Sequence, residues 1–236
     1  MDRIFFEFPL DKMTCGQLFM KKQRATNSED KLAKRQVIQT AALQMFKRTS
    51  YNEVTMSAIA DKTKLAKGTL FLYFPTKEEL FLALMEAQLI EWFDAVDTQL
   101  DALKEKSISA VASLFADSLD ERAEFTRLLA IHSTILEQNV SYESIFKHKQ
   151  LILQRLVGAG ARLEKSLPFL QAGLGAHFIL QCQALVVGLW YLSDPAPIAC
   201  KVIEQGRLTA FNLDFNFEFK NVLTSLLYSI EKQSKS

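Results

Sequence analysis

The sequence predicts an all-α protein in two parts, a small N-terminal three-helix head and a larger C-terminal helical body. Apolar residues recur at helical spacing along most of the 236-residue chain, and no segment shows the two-residue alternation of a half-buried strand. With 8 glycines and 5 prolines, turns are few and helices are long. The 49% hydrophobic content is ample for a buried core.

Charge also separates the two parts. Residues 21–80 carry 12 Lys and Arg against 6 Asp and Glu, whereas residues 81–236 carry 14 against 18. A basic front end on an acidic body is typical of a protein that docks one end onto phosphates. The alternative is an ordinary solvated face, and charge alone does not choose between the two.

The first helix of the head is predicted to begin near Asn27 or Ser28 and to end near Arg48. Its inward face carries apolar side chains at helical spacing: Val37, Ile38, Ala41, Ala42, Met45 and Phe46. This helix would support two shorter helices that follow it, so that the head spans residues 28–76.

Residues 1–27 do not share this pattern. An aromatic-rich burst at residues 4–8 precedes Pro9, and no helical period follows it. Two interpretations stay open. Either the start is misassigned and the native chain begins at Met13 or Met20, or the segment is a disordered extension whose basic side chains reach the DNA minor groove: Lys21, Lys22 and Arg24.

Residues 55–74 have the pattern of two short helices joined by a tight turn. Thr55 is a suitable N-cap, because its side-chain oxygen can accept a hydrogen bond from a backbone N–H of the next turn. The pattern breaks at residues 63–66, which leaves too little chain for a loop, so the second helix begins at a sharp angle to the first. In this helix-turn-helix geometry the first turn of the second helix, residues 67–69, meets base edges.

A proline and a capping box close the motif. Leu70 and Phe74 can anchor the back of the second helix, and Pro75 disfavours the helical conformation in the residue before it. Thr76 and Glu79 form a T-x-x-E capping box, which opens a new helix.

The segment resembles the DNA-binding domain of the tetracycline-repressor (TetR) family of one-component bacterial regulators. The match covers about residues 31–90 and is carried, in order and spacing, by Thr55, Ile59-Ala60, Gly68-Thr69-Leu70, Tyr73-Phe74, Lys77-Glu78 and Leu80. The resemblance implies a head that binds double-stranded DNA. The residues expected to bind it are Thr55, Lys67, Gly68, Thr69, Leu70, Tyr73 and Lys77.

Three residues depart from the family pattern. Lys64 stands where the turn usually has glycine, so we expect a positive φ there, at a cost in stability. Ala66 replaces the Ser or Thr that caps the second helix, which removes a cap worth about 1 kcal/mol. Phe71 stands where the family often has Tyr, which leaves Tyr73 as the hydroxyl donor to a phosphate or a base edge.

The body, residues 77–236, continues with predicted helices at about 76–103, 107–119, 120–138, 141–165, 172–192 and 214–232. The helix at 172–192 is apolar nearly all round and must be covered on two sides. The resemblance implies that the last two helices form a homodimer interface, with burial inside one subunit as the alternative. A dimer would place its heads about 34–36 Å apart on a near-palindromic operator.

The resemblance also implies a small-molecule pocket inside the body. The candidate ligand-binding residues are aromatic and polar side chains: Trp92, Phe115, Phe125, His132, Phe146, His177 and Trp190. The alternative is that the aromatic rings are ordinary core and that the histidines are satisfied or solvated.

Several function classes are excluded by what the sequence lacks. Cys15, Cys182 and Cys200 lie far apart with no histidine at ligand spacing, so neither a metal site nor a disulfide framework is predicted. No Gly-rich phosphate loop and no recognisable nucleophile–base motif is present, so we expect neither an enzyme nor a cofactor. We recognise no apolar run of membrane-spanning length, which favours a cytoplasmic protein without a membrane partner.

These features predict a one-component transcriptional regulator, in the first instance a repressor released by a small apolar or amphipathic ligand. Ligand binding in the body would shift the fourth helix and change the separation of the two heads. Activation by the ligand is the other possible sense. A rival from another class is a helical protein-interaction adaptor whose head no longer binds DNA.

Overall fold

The computed structural model describes residues 15–235, with side chains from residue 29 onwards. Within these residues the protein is helical and has no strand, as predicted. The helices are α1 (Cys15–Phe46), α2 (Met56–Thr63), α3 (Lys67–Tyr73), α4 (Lys77–Ala102), α5 (Ile108–Asp117), α6 (Ala123–Ile131), α7 (Tyr142–Ser166), α8 (Leu174–Ser193), α9 (Pro197–Gln205) and α10 (Phe215–Ser234). A π-helical turn (His132–Leu136) follows α6, and a 3₁₀ turn (Thr209–Phe211) precedes α10.

The head consists of α1, α2 and α3 packed around a small apolar core. Its most buried side chains are Ile38, Ala42, Phe46, Val54, Ile59, Leu70 and Phe74. Arg35 fixes the end of α3 to α1. Its Nη1 donates to the Tyr73 carbonyl oxygen at 3.0 Å, and its guanidinium carbon lies 4.1 Å from the centre of the Phe74 ring.

The first helix is longer than the sequence analysis expected. It begins at Cys15 and not near Asn27, because no proline and only Gly16 interrupts the helical sequence before Phe46. Val37 was expected to face inward but is 52% exposed, since it lines a shallow groove between α1 and the end of α2. Residues 1–14 lie outside the described residues, as do the side chains of Lys21, Lys22 and Arg24, so both interpretations of the extension stay predictions.

The body is built on a cluster of buried aromatic rings. The most enclosed of them are Phe93, Phe115, Phe125, Phe178 and Phe219. Phe115 on α5 and Phe178 on α8 meet edge to face with ring centroids 5.8 Å apart, so helices distant in sequence share one core.

Helices α7 and α8 approach each other at two glycines. A Cβ atom on Gly160 would lie 2.5 Å from the backbone nitrogen of Ala176, and one on Gly175 would lie 2.2 Å from the Gly160 carbonyl oxygen. Glu164 of α7 also caps α8, because its carboxylate accepts hydrogen bonds from the backbone N–H groups of Gly173 and Gly175 at 2.9 and 3.0 Å. Any larger residue at either contact would force these helices apart.

The last helices leave a broad apolar surface uncovered by the single chain. Its exposed side chains on α8 and α10 include Leu180, Tyr191, Leu192, Phe217 and Tyr228. An 18-residue stretch of the 20-residue α8 has a mean hydropathy of 1.3, and 28% of that stretch is buried, so by length and composition alone this helix is apolar enough to cross a membrane. The prediction that the chain has no apolar run of membrane-spanning length is therefore wrong. The same composition is found in core helices of folded proteins, and α8 packs against α6, α7 and α10.

Candidate functional site

The turn of the helix-turn-helix motif has the predicted local structure. Thr55 caps α2, with its hydroxyl oxygen accepting from the Ala58 backbone N–H at 3.2 Å. Lys64 ends α2 with a φ of 55°, in the left-handed region that favours glycine. The tight reversal is closed by the Leu65 N–H, which donates to the Ala60 carbonyl oxygen at 3.1 Å. Helix α3 therefore begins without a loop.

Helix α3 turns one face outward and the other into the head. Lys67 and Gly68 are exposed and Thr69 is half-buried, whereas Leu70 is fully buried. Ala66 provides no side-chain cap for this helix, as predicted. Sequence reasoning missed Leu72, which is 81% exposed and lies one helical turn after Gly68 on the same face. The four-residue spacing between Gly68 and Leu72 would have predicted this outward position from the sequence.

Two residues named as DNA contacts are corrected by the structure. Leu70 cannot present its side chain to DNA, because it is the buried anchor of α3. Lys77 is directed into the head: its Nζ donates to the Tyr51 carbonyl oxygen at 2.5 Å and lies 3.8 Å from the centre of the Tyr51 ring. Partial burial lowers the pKa of Lys77. Tyr73 is half-buried, and its carbonyl is held by Arg35.

The N-terminus of α4 joins the head to the body. Thr76 caps this helix through the Glu79 N–H at 3.0 Å and donates its own hydroxyl to the Asn139 carbonyl oxygen at 2.9 Å. Glu79 accepts from the Ser141 N–H at 2.9 Å and from the Ser144 hydroxyl at 2.7 Å. The carboxylate expected to complete a capping box thus binds the segment before α7 instead.

A second junction connects α6 to the end of α1. Arg127 donates from Nη1 to the Phe46 carbonyl oxygen at 2.8 Å and from Nη2 to the Thr49 carbonyl oxygen at 2.6 Å. Its guanidinium carbon lies 4.2 Å from the centre of the Phe46 ring. A cation is favourable at the carbonyl end of a helix. Arg127 therefore joins α6 to the head by a charged contact.

The body encloses an apolar cavity between α4, α5, α6, α7, α8 and α10. Its volume, taken as the space open to the centre of a water molecule, is about 40 Å³. The walls include four of the predicted ligand residues, Trp92, Phe115, Phe125 and His132, together with residues that sequence reasoning missed: Met85, Leu89, Phe93, Leu119, Leu129, Ile152, Leu156, Ile179, Cys182, Gln183, Val186 and Phe219.

Three of the predicted ligand residues lie elsewhere. Phe146 is 50% exposed on α7, where it stacks on Tyr142, and His177 is exposed on α8. Trp190 packs against Phe215 near the surface, with ring centroids 6.1 Å apart. None of the three lines the cavity. The helical period of the sequence predicts that these residues lie on helices, but it does not predict which face of each helix lines the cavity.

Polar groups on the cavity wall are few. The Trp92 Nε1–H donates to the Ser118 hydroxyl at 2.9 Å, so it is already satisfied within the protein. Burial raises the pKa of the Cys182 thiol, which stays protonated. Burial, with the neighbouring His148, lowers the pKa of His132 to about 4, so its ring is neutral at neutral pH. A ligand of this cavity meets walls that are apolar and uncharged.

Two family models match this chain. Residues 38–84 match the model described as bacterial regulatory proteins, tetR family. Residues 86–232 match the model described as tetracyclin repressor-like, C-terminal domain. The two matches divide the chain within α4, between residues 84 and 86.

Similar proteins extend these matches. The fatty acid metabolism regulator protein of Bacillus subtilis is 24% identical over 160 residues, which cover 65% of this chain and 81% of that protein. The uncharacterized HTH-type transcriptional regulator YuxN of Bacillus subtilis is 28% identical over 136 residues, 58% of this chain, but the match spans only 36% of its length. The solved fatty acid degradation regulator FadR from Bacillus halodurans shares the fold, with a TM-score of 0.53 at 17% identity over 82% of this chain and 94% of that one.

Proposed function

This chain belongs to the TetR family of bacterial transcriptional regulators, and we propose that it is a homodimeric repressor of the bacterial cytoplasm. As a member it is a ligand-responsive DNA-binding transcriptional regulator, and this family is generally non-enzymatic. The repressor would bind a near-palindromic operator and leave it when a small apolar or amphipathic ligand enters the body.

The observation that carries this proposal is the outward face of α3. Lys67 is the first residue of α3, where the helix dipole disfavours a positive charge, so helix stability does not account for it. A Cβ atom on Gly68 would have no neighbour within 4 Å, so packing inside the protein does not require glycine there. Both features suit a helix that another molecule approaches closely. We propose that Lys67, Thr69 and Leu72 contact DNA, with Leu72 suited to a thymine methyl group.

Dimerisation accounts for the apolar surface of α8 and α10. Leu180 and Tyr191 on α8 and Phe217 and Tyr228 on α10 are about half-exposed or more in the single chain. Exposed large apolar side chains on two helices that pack against each other favour association with a second copy. Two copies joined there would present two α3 helices to half-sites one helical turn of DNA apart, about 34–36 Å.

The apolar cavity supports a ligand with a long hydrocarbon part. It is lined mostly by Leu, Ile and aromatic side chains, and the relative named for fatty acid metabolism favours an acyl chain. A cavity of about 40 Å³ holds only a few water-sized spheres. An acyl ligand therefore has to displace surrounding helices when it binds.

The two junctions provide a route from the cavity to the head. Helix α4 lines the cavity with Trp92, and Lys77 at its N-terminus donates to the Tyr51 carbonyl oxygen in the head. Helix α6 lines the cavity with Phe125 and holds the end of α1 through Arg127. Ligand binding that displaces either helix would change the separation of the heads. Operator affinity would then fall by a factor set by how much more tightly the ligand binds the displaced state.

Selection of bound sequences from a random duplex pool tests the function. We expect the wild-type protein to enrich a near-palindrome, Lys67→Ala to weaken that enrichment, and the matched control Lys201→Ala, an exposed lysine on α9, to leave it unchanged. If the wild-type protein enriches no sequence, or if Lys67→Ala enriches the palindrome equally well, the proposal is wrong. The first of these outcomes would favour the adaptor alternative.

A further inference from the structure

We propose that the body contains a site for a divalent transition metal, formed by His132, Glu137 and His148. Their ligand atoms lie within 4.8 Å of one another. The Nε2 atoms of the two histidines are 2.6 Å apart, and His132 Nε2 is 3.1 Å from a Glu137 carboxylate oxygen. Two imidazoles and one carboxylate form a donor set that Zn²⁺ uses in proteins. The site does not depend on the DNA-binding proposal above.

The π-helical turn brings the first two donors together. His132 and Glu137 are five residues apart, and in an α-helix their side chains would point about 140° apart around the axis. In the π-helical turn the Glu137 N–H donates to the His132 carbonyl oxygen at 3.1 Å, which places Glu137 just over one full turn after His132. The carboxylate thereby returns to the imidazole. Single π-helical turns of this kind occur frequently at functional sites.

Glu86 on α4 prepares His148 for a metal. A Glu86 carboxylate oxygen lies 3.2 Å from His148 Nδ1, and a carboxylate accepts hydrogen bonds only. The hydrogen bond therefore fixes the proton on Nδ1 and leaves the Nε2 lone pair directed at His132. Metal-bound histidines usually donate their second N–H to a carboxylate in this way.

Burial and charge also fit a cation. His132 is 3% exposed and His148 is fully buried, so no bulk water competes for their nitrogens. Glu137 and Glu86 together bring two negative charges, which a divalent ion would balance. The Nζ of Lys149 contacts the Glu137 carboxylate, but its side chain is 52% exposed and can move into solvent. Lys149 is thus the internal competitor of the metal.

Metal binding requires a small rearrangement of the two imidazoles. Tetrahedral Zn²⁺ with Zn–N distances near 2.0 Å separates its ligand nitrogens by about 3.3 Å. The two Nε2 atoms, now 2.6 Å apart, must therefore separate further. His132 lines the cavity, which provides room for this movement. Three protein donors leave the fourth position to water or to a ligand. Imidazole donors favour Zn²⁺, Co²⁺ or Ni²⁺ over Mg²⁺.

Titration of the full-length, tag-free protein with Co²⁺, followed by its visible d–d absorption, tests the site. We expect one Co²⁺ per chain in tetrahedral coordination, displaced by one equivalent of Zn²⁺ and not by Mg²⁺. Glu137→Gln and His148→Gln should lose at least tenfold in affinity. His177→Ala removes the third histidine of the chain, which is exposed, and as the matched control should bind as the wild-type protein does.

Two further variants separate coordination from a structural role. Glu86→Gln should weaken Co²⁺ binding by about 10- to 100-fold, as loss of a partner behind a ligand does. Lys149→Ala should strengthen Co²⁺ binding several-fold, because it removes the ammonium group that competes for Glu137. Partial unfolding of the variant would weaken metal binding and could not produce this gain. Absence of tetrahedral Co²⁺ absorption in the wild-type protein would overturn the proposal. So would wild-type affinity in Glu137→Gln, which is tolerated in folding because this side chain is 21% exposed.

Discussion

The head exposes its candidate functional groups on its surface, whereas the body buries its candidate functional groups around a cavity. In the head, Lys67 and Gly68 are exposed on α3 and Leu70 is buried behind them. In the body, Trp92 and His132 face the cavity and are 8% and 3% exposed. A substitution on the outward face of α3 can therefore alter DNA binding at little cost in stability. A substitution at the cavity alters both the stability of the body and its affinity for a ligand, because neighbouring side chains in a close-packed interior cannot compensate for a change in volume.

The largest effect is expected from removing the anchor of α3. Leu70→Ala deletes a fully buried side chain and should lower the free energy of unfolding by about 3 kcal/mol. Chemical denaturation followed by helical circular dichroism measures this change. The exposed neighbour Leu72→Ala serves as the control and should alter stability by less than about 0.5 kcal/mol. Equal losses in the two variants would show that α3 does not have an inner and an outer face.

The next effect concerns the junction between the two parts. Arg127→Met keeps an apolar stem over the Phe46 ring but loses the charged hydrogen bonds to the Phe46 and Thr49 carbonyl oxygens. We expect a loss of about 2 kcal/mol in stability. Hydrogen exchange should be faster at the end of α1, since that segment loses its support from α6. Unchanged exchange there, with the same variant less stable overall, would contradict the proposed route.

A smaller effect is expected on the outward face. Lys67→Ala should weaken operator binding about tenfold without loss of stability, and the slope of log affinity against log salt should fall by about 1 if this lysine contacts a phosphate. Fluorescence anisotropy at several salt concentrations measures both quantities. Lys201→Ala, on an exposed surface of the body, provides the comparison and should change neither. An identical slope in wild type and Lys67→Ala would exclude the phosphate contact.

The smallest effect is a gain in stability. Ala66→Ser supplies the side-chain cap that α3 lacks and should stabilise the head by about 1 kcal/mol. Thermal unfolding detects the rise in melting temperature. Ala87→Ser, an exposed position in the interior of α4 and away from any helix start, is the control and should not stabilise. A destabilised Ala66→Ser variant would mean that the N-terminus of α3 is satisfied in another way.

Local structure in the head was predictable because its causes lie within a few residues of each other. The cap at Thr55, the positive φ of Lys64 and the missing cap at Ala66 each follow from residue type and position in the turn. The helical periods likewise gave the bounds of most body helices to within a few residues. The start of α1 differed because residues 15–27 continue the helix without apolar side chains at regular helical spacing to mark it.

The cavity and the histidine cluster could not be predicted in the same way. Phe146 and Phe125 both lie at helical positions, but only the packing of α6 and α7 decides that Phe125 is enclosed and Phe146 exposed. The proximity of His132 and His148 depends on the π-helical turn and on the return of the chain in α7. The inward direction of the Lys77 side chain could be predicted only with knowledge of where the Tyr51 carbonyl oxygen lies. Contacts of this kind join elements that are distant in sequence.

The central claim, that α3 reads bases in two symmetric half-sites, is tested most directly by a change of specificity. Thr69→Asn places an amide that favours adenine on the first turn of α3, the turn that also carries Lys67. Selection from a random duplex pool with this variant should change the preferred base at one position in each half-site, symmetrically about the centre, and leave the other positions as in the wild-type sequence. An unchanged preference, or a change in one half-site only, would contradict the account.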